Sequence, residues 1–434
     1  MSREVDRIMD MAVKEQKQNG EYDLESLEFH IRGTMHDIGK KLLERILNAE
    51  SNSKTEKVEK RFRLEGYQEK TVQTVLGKVK IRRAYYYDRK QGEGQYPRDK
   101  ELDIVGTSFS PGMRRIMGKV GAYQPFMLGQ EAIQEMSGVS VTAKEIERIS
   151  EEIGQKAEEF LREEKSREQS NKNVKPINVM YISIDGTGVP MVKAETENRL
   201  GKGEDGKAKT REAKLGCIFT QTGVDKDGYA VRDENSTTYV GAIETAEEFG
   251  ERIYCEAIHR GIERATKICM LGDAAAWIWN IAQGQFPGAI QIVDQYHARE
   301  HYWSVAKVFF GKDEKKRQWW AEKLRIELDD GKVEKVIESI KQLVPSTDEQ
   351  RDVCKREIGY YENNKHRMRY DQYRREGLFV GSGVIEAGCR TLVGQRLKQS
   401  GMHWSLRGAN SIIALRCCIS SHLWEDFWEY RAAA

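Results

Sequence analysis

No apolar run in this 434-residue chain approaches the length of a bilayer span, and 32% of its residues are charged, which argues against a helical membrane protein. The seven cysteines include no C-x-x-C pair, are odd in number and follow no apolar signal-like segment. That pattern fits a reducing cytosol and not a disulfide scaffold. Strong net charge is missing as well: 71 Lys and Arg stand against 69 Asp and Glu, leaving +2. The sum alone suggests no nucleic-acid partner, but its distribution does. Residues 57–115 hold 15 Lys and Arg against 8 Asp and Glu, and residues 365–407 hold 9 against 3. Phosphate-binding surfaces are local, so these stretches matter more than the total. The plainer reading of either is a solvated charged face.

A chain of this length holds more than one hydrophobic core. Leu24, Leu27, Ile31, Met35, Ile38, Leu42 and Ile46 recur at three- and four-residue steps after a capping Asp23, which predicts an amphipathic helix within an N-terminal helical region, 1–55. Residues 56–112 read as a basic β-hairpin and connector: Val79 and Ile81 alternate with Lys78, Lys80 and Arg82 after a turn at Gly77, giving a cationic outer face. Residues 113–172 return to helical spacing. Within them Gln130–Ser150 has the outline of a helix-turn-helix capped near Ser140, or of a plain helical hairpin, since its second helix is rich in Glu.

From Val174 strands and helices alternate. Strands at 179–185, 214–222 and 228–233 or slightly beyond, then a helix from Thr245 to Arg264, a strand at 267–272, a helix at 274–282 and a strand at 289–293 give a meander followed by β-α-β. That is the order of an RNase H-like core. The fold class is therefore α/β: an RNase H-like core over 173–297 and 371–434, interrupted by a helical insertion at 298–370 and preceded by a helical and β-hairpin region suited to DNA.

Three acids stand out against this frame. Asp185 ends Val-Met-Tyr-Ile-Ser-Ile-Asp, Asp273 ends Ile-Cys-Met-Leu-Gly-Asp, and Glu386 lies in Gly-Ser-Gly-Val-Ile-Glu-Ala-Gly-Cys-Arg, 113 positions after Asp273. Open α/β sheets place ligands at strand ends, and three carboxylates on separate elements suit two divalent cations, Mg²⁺ with Mn²⁺ as a substitute, in phosphoryl transfer. A buried-strand Asp that caps the next helix is the plainer reading of Asp273. Asp294, which ends another strand, is a rival second acid; with His297 it is placed beside the acids or against DNA, the plainer reading being a helix-capping Asp with a satisfied His. Three further motifs are weaker. His297-Ala-Arg-Glu-His301 has zinc spacing without a third ligand, and His36-Asp37 lacks the partners of a phosphohydrolase. Gly201–Gly206 satisfies G-x-G-x-x-G but follows no strand.

From Thr71 to Trp428 the chain resembles bacterial insertion-sequence transposases of the DDE type, the Kra group. The resemblance rests on Ser183–Pro190, Arg211–Gly216, Leu271–Trp279, Asp294–His297, Gly381–Glu386 and Arg396–Trp404. It implies an enzyme whose catalytic and metal-holding residues are Asp185, Asp273 and Glu386, which cleaves element ends and joins the 3′-hydroxyls to target DNA. It further implies double-stranded DNA and a homodimer or higher oligomer as partners, in a bacterial cytoplasm at the nucleoid. Lys78, Lys80, Arg82, Arg390, Arg396, Lys398 and Trp404 are the expected DNA contacts, with packing in the protein interior the preferred alternative for Trp404. Two departures stand out: Asp88 where members often carry a cysteine pair, and Ala274 where Gly is usual. A silenced DNA-binding relative and an RNase H-like nuclease are the alternatives.

Overall fold

The computed structural model describes residues 10, 23–50, 58–163, 176–201, 206 and 208–433. The chain divides into two compact units, Met1–Met117 with Phe126–Ile146, and Gly118–Pro125 with Glu147–Ala434. In the first, helix α1 (Leu24–Glu50) starts where the Asp23 carboxylate accepts the Ser26 amide at 2.9 Å. Strands β1 (Arg63–Thr74) and β2 (Gly77–Asp88) form the expected antiparallel hairpin, with Val72 opposite Val79. Gly77 makes its turn with φ at +109°, where a side chain would be strained. Val72, Val79 and Ile81 form a core with Ile104, onto which Leu43 and Leu47 of α1 pack. Asn48 of α1 donates to the Lys80 carbonyl (3.0 Å) and accepts the Arg82 amide (2.8 Å), so the helix seals an edge of β2.

The connector expected at 88–112 is more ordered than its composition suggests. It contains β3 (Glu93–Gln95) and α2 (Pro97–Glu101), and the Asp99 carboxylate of α2 is buried between Arg83 (2.6 Å) and Lys70 (3.1 Å). A stretch rich in Gly, Pro and charge reads as a connector because pairing partners distant in sequence leave no local signature. Helices α3 (Pro111–Tyr123), α4 (Phe126–Ser137) and α5 (Ala143–Arg162) follow. The helix pair at Gln130–Ser150 is present, but its second helix is capped by Thr142 and not near Ser140: Thr142 and Glu145 make the reciprocal hydrogen bonds of a capping box.

The second unit is built on β4 (Ile177–Pro190), which is followed by a single turn, α6 (Lys193–Thr196), and by β5 (Thr210–Gln221). The third meander strand is not 228–233. That stretch supplies only β7 (Ala230–Val231), which pairs with β6 (Gly223–Val224) in a separate ribbon. The Asp233 carboxylate accepts the Thr220 hydroxyl (2.6 Å) and the Thr222 amide (2.9 Å), folding the chain back there. The sheet is continued by β8 (Thr238–Ala242), with β9 (Ala265–Gly272) and β10 (Ile290–Val293) beyond. Among the described residues this sheet has five strands in the order β10-β9-β4-β5-β8; β4, β5 and β8 are antiparallel, while β9 and β10 run parallel to β4. It is a mixed sheet in an α/β unit.

Met180 to Ile184 are buried consecutively, as in a strand covered on both faces. Helix α7 (Ala246–His259) lies against Gly216, where an added Cβ would come within 2.7 Å of Ile253. Its neighbour Leu215 points to the other face. After α8 (Ala276–Gln285) the insertion is helical as expected: α9 (Gln295–Phe310), α10 (Glu314–Asp329), α11 (Val333–Lys341) and α12 (Asp348–Asn364). A short α13 (Tyr370–Arg375) leads to α14 (Gly383–Gly388), a wide π-type turn at Cys389–Gly394 and α15 (Gln395–Leu397). The last helices are α16 (Leu406–Ser420) and α17 (Trp424–Ala433).

Candidate active site

Strand register sets the first two acids. In the parallel pair β4–β9, Ile184 is opposite Gly272, so the next residues, Asp185 and Asp273, emerge side by side where the strands end their pairing. The third acid reaches them through α14, which packs over the Leu215 face: a Cβ on Gly388 would lie 3.2 Å from Leu215, the β5 partner of Asp185. The Cys389 thiol, one residue on, hydrogen-bonds the Asp185 carboxylate. Burial raises the pKa of Asp185, and the neighbouring Asp273 and Glu386 carboxylates raise it further, against the opposing Gly186 amide (2.7 Å) and Cys389 thiol. Each acid has an anchored oxygen. Asp273 accepts the Ala275 amide at 2.8 Å in the turn before α8, whose N-cap is Ala275 with no side-chain cap, and Glu386 accepts the Ser382 hydroxyl at 2.8 Å.

The donor set is entirely carboxylate oxygen, which suits a hard cation such as Mg²⁺ that retains waters and takes only a few protein ligands. Among the described residues, no three His, Cys, Asp or Glu side chains converge closely enough to enclose one ion unaided. Asp273 and Glu386 nonetheless lie close enough to Asp185 to raise its pKa, a crowding of negative charge that a divalent ion would balance.

Asp294 is buried and ties two elements together. One carboxylate oxygen caps α9 through the His297 amide (2.6 Å), and the other accepts the Ser382 amide from the glycine turn before α14. Since the Ser382 hydroxyl holds Glu386, Asp294 acts on the third acid at one remove. The His297 ring is partly exposed, 5.3 Å from that of His301. His301 bonds Glu357 and stacks on Tyr360 at 3.4 Å between ring centres. Burial holds the Tyr360 hydroxyl well above its usual pKa, and Asp273 and Asp294 are the next causes; it therefore stays protonated. That buried hydroxyl has no hydrogen-bond partner among the described residues.

The expected DNA contacts separate into two kinds. Lys78, Lys80 and Arg82 are exposed on the hairpin, with Arg82 also lying 4.2 Å over the Tyr67 ring. Arg390 is exposed beside Cys389, and exposed Lys398 reaches the Thr187 hydroxyl, two residues beyond Asp185. Arg396 differs from expectation, and Trp404 takes the packing role that is its alternative. Arg396 is fully buried, donates to the Gly121 carbonyl (2.9 Å) and lies over the Trp404 ring, whose indole donates to the Leu397 carbonyl (3.0 Å). Burial, with Arg416 next, pushes the Arg396 pKa down to about 10. The pair is structural, because the chain after the π-type turn runs inward and carries both side chains with it.

The weaker motifs stay outside this site. Asp37 pairs with Lys40 one turn along α1 at 2.7 Å, and residues 202–205 of the G-x-G-x-x-G segment lie outside the described residues. Sequence reasoning missed Cys389, Ser382 and Tyr360. The first two fall three after and four before Glu386, a helical spacing that would have found them. Tyr360 sits in the insertion, 87 positions from Asp273, where no spacing points to it.

The chain belongs to the uncharacterised protein family UPF0236, whose model matches residues 17–424. No curated protein matches it. Among solved structures, the Drosophila P element transposase strand transfer complex is similar over 72% of this chain and 92% of that chain, at 8% identity and a TM-score of 0.34, too low to carry an argument about fold.

Proposed function

We propose that this member of UPF0236 is a DDE transposase of the insertion-sequence Kra type, which cuts the ends of its element and joins the freed 3′-hydroxyls to target DNA. The observation that carries the reading is the convergence of Asp185 and Asp273 through the β4–β9 register, with Glu386 close enough to raise the Asp185 pKa. The strand order β10-β9-β4-β5-β8, with one antiparallel meander and two parallel additions, supports an RNase H-like core.

Asp185, Asp273 and Glu386 would hold two divalent cations, Mg²⁺ or Mn²⁺. Bound there, the ions supply an acidified attacking water and charge neutralisation at the phosphate. The chain's own residues orient the reactants. Lys398 and Arg390 bind phosphate oxygens at the rim, Asp294 and Ser382 fix the Glu386 carboxylate, and Lys78, Lys80 and Arg82 hold the duplex by its backbone. In the first step a water oxygen bonds to phosphorus and the 3′-oxygen leaves; in the second that 3′-hydroxyl attacks a target phosphodiester and displaces another 3′-oxygen.

The test is strand transfer in vitro, with purified full chain, Mg²⁺ or Mn²⁺, labelled duplexes from the gene's own flanking DNA and a supercoiled target. Joined products that vanish in Asp185→Ala, Asp273→Ala and Glu386→Ala support the reading. Cleavage without joining would favour a nuclease, and binding without either a silenced relative.

A further inference from the structure

Helix α1 carries two apolar stripes. One, with Leu43 and Leu47, packs on the hairpin core. The other consists of Leu24, Ile31, Met35, Ile38, Leu42 and Ile46, each between 38% and 71% exposed. Five of the six follow an eleven-residue spacing, 24 to 35 to 46 and 31 to 42, at about 3.67 residues per turn, which keeps the line nearly straight along the helix, with Ile38 beside it. With 27 residues the helix is about 40 Å long. Lone exposed apolar side chains are ordinary, but a continuous line of six is a contact surface.

We infer that this stripe pairs antiparallel with the same stripe of a second copy of the chain, with Met35 near the two-fold axis. Leu24 and Ile46 lie eleven positions either side of Met35, so an antiparallel copy brings each beside the other. Charge sets the direction. The first turns of α1 and its cap carry Asp23, Glu25 and Glu28, while the later turns carry exposed Lys41 and Arg45 along with Glu44, and the last turn has no basic residue. Antiparallel pairing about Met35 brings Glu25 of each helix, ten positions before it, beside Arg45 of the other, ten positions after it, and opposes the two helix dipoles. Parallel pairing would put acid beside acid. Covering the stripe on both copies removes on the order of 1,200 Å² from water, at the lower bound for a specific interface. The inference is independent of the phosphoryl-transfer reading and is tested without DNA or metal.

Sedimentation of the full chain at micromolar concentration is expected to give a dimer. Ile31→Asp combined with Ile38→Asp is expected to weaken it by about 100-fold or more while circular dichroism stays native, since both sites are exposed. Mild oxidation supplies the orientation. In a Cys255→Ser background, which removes the exposed native cysteine, Met35→Cys is expected to cross-link to itself. Leu24→Cys is expected to cross-link only when mixed with copies carrying Ile46→Cys. A monomeric wild type, a dimer indifferent to the double aspartate, or self-cross-linking of Leu24→Cys would each overturn the inference.

Discussion

Asp185 shows how a candidate functional site works against stability. Its pKa is raised by burial and by two neighbouring carboxylates, so its contribution to folding is most favourable below the unfolded value of 3.8 and is lost as pH rises through the higher folded value. Asp185→Asn lacks that term, and its melting temperature is expected to gain on wild type as pH rises through the window. Asp273→Asn removes one source of repulsion and is expected to stabilise the metal-free protein by roughly 0.5–1 kcal/mol at neutral pH. Mg²⁺ is expected to raise the melting temperature of wild type and not of Asp273→Asn, and calorimetry reads both. A metal-free Asp273→Asn less stable than wild type would count against the crowding of these carboxylates. Two cations of one motif differ as sharply. Arg396→Met strands the carbonyl contact of a buried guanidinium and is expected to cost about 2–4 kcal/mol. Lys398→Ala, at an exposed site, is expected to change stability by less than about 0.5 kcal/mol and to lower DNA affinity.

Between elements, the decisive link is Asp294, which joins the end of β10 to the turn that launches α14. Asp294→Ala removes a helix cap and a buried acceptor together, so a loss of roughly 2–3 kcal/mol is expected in chemical denaturation. Ser382→Ala keeps the fold and frees Glu386. It is expected to lower strand joining with little change in stability, and equal losses in both would show that Ser382 serves packing alone. Elements like these were only partly legible in sequence. Alternation exposed the hairpin, and short apolar runs ending in Asp gave β4 and β9, because those signals are local. The third strand was misplaced, since 228–233 has strand composition but Asp233 folds the chain back onto β5. The inward course after the π-type turn was equally hidden. Arg416 donates to the Leu392 and Thr391 carbonyls of that turn (2.7 Å each) from more than twenty positions away, a pairing that no periodicity records.

Taken whole, the molecule is almost neutral, and the formal charge of +2 would predict weak attraction to any polyanion. Pairing alters that expectation, because charges engaged inside the protein attract nothing outside. Arg83 is committed to Asp99, Arg396 and Arg416 to backbone carbonyls, and Arg252 to Glu244 and Glu158. On the proposed function, the exposed basic residues of the hairpin and of the Cys389 region are the ones expected to meet DNA. Counterion release makes this measurable, since each phosphate contact contributes about 0.9 to the slope of log affinity against log salt. Replacing Lys78, Lys80 and Arg82 together by Ala is expected to reduce that slope by about 2–3 and to weaken binding equally on specific and unrelated duplexes. The buried partners of the alternation, Val79 and Ile81, remain in place, so folding should be preserved. An unchanged slope would mean that the hairpin's cations face solvent in the complex and that the duplex is held elsewhere. A loss confined to one sequence would instead make the hairpin a reader of bases.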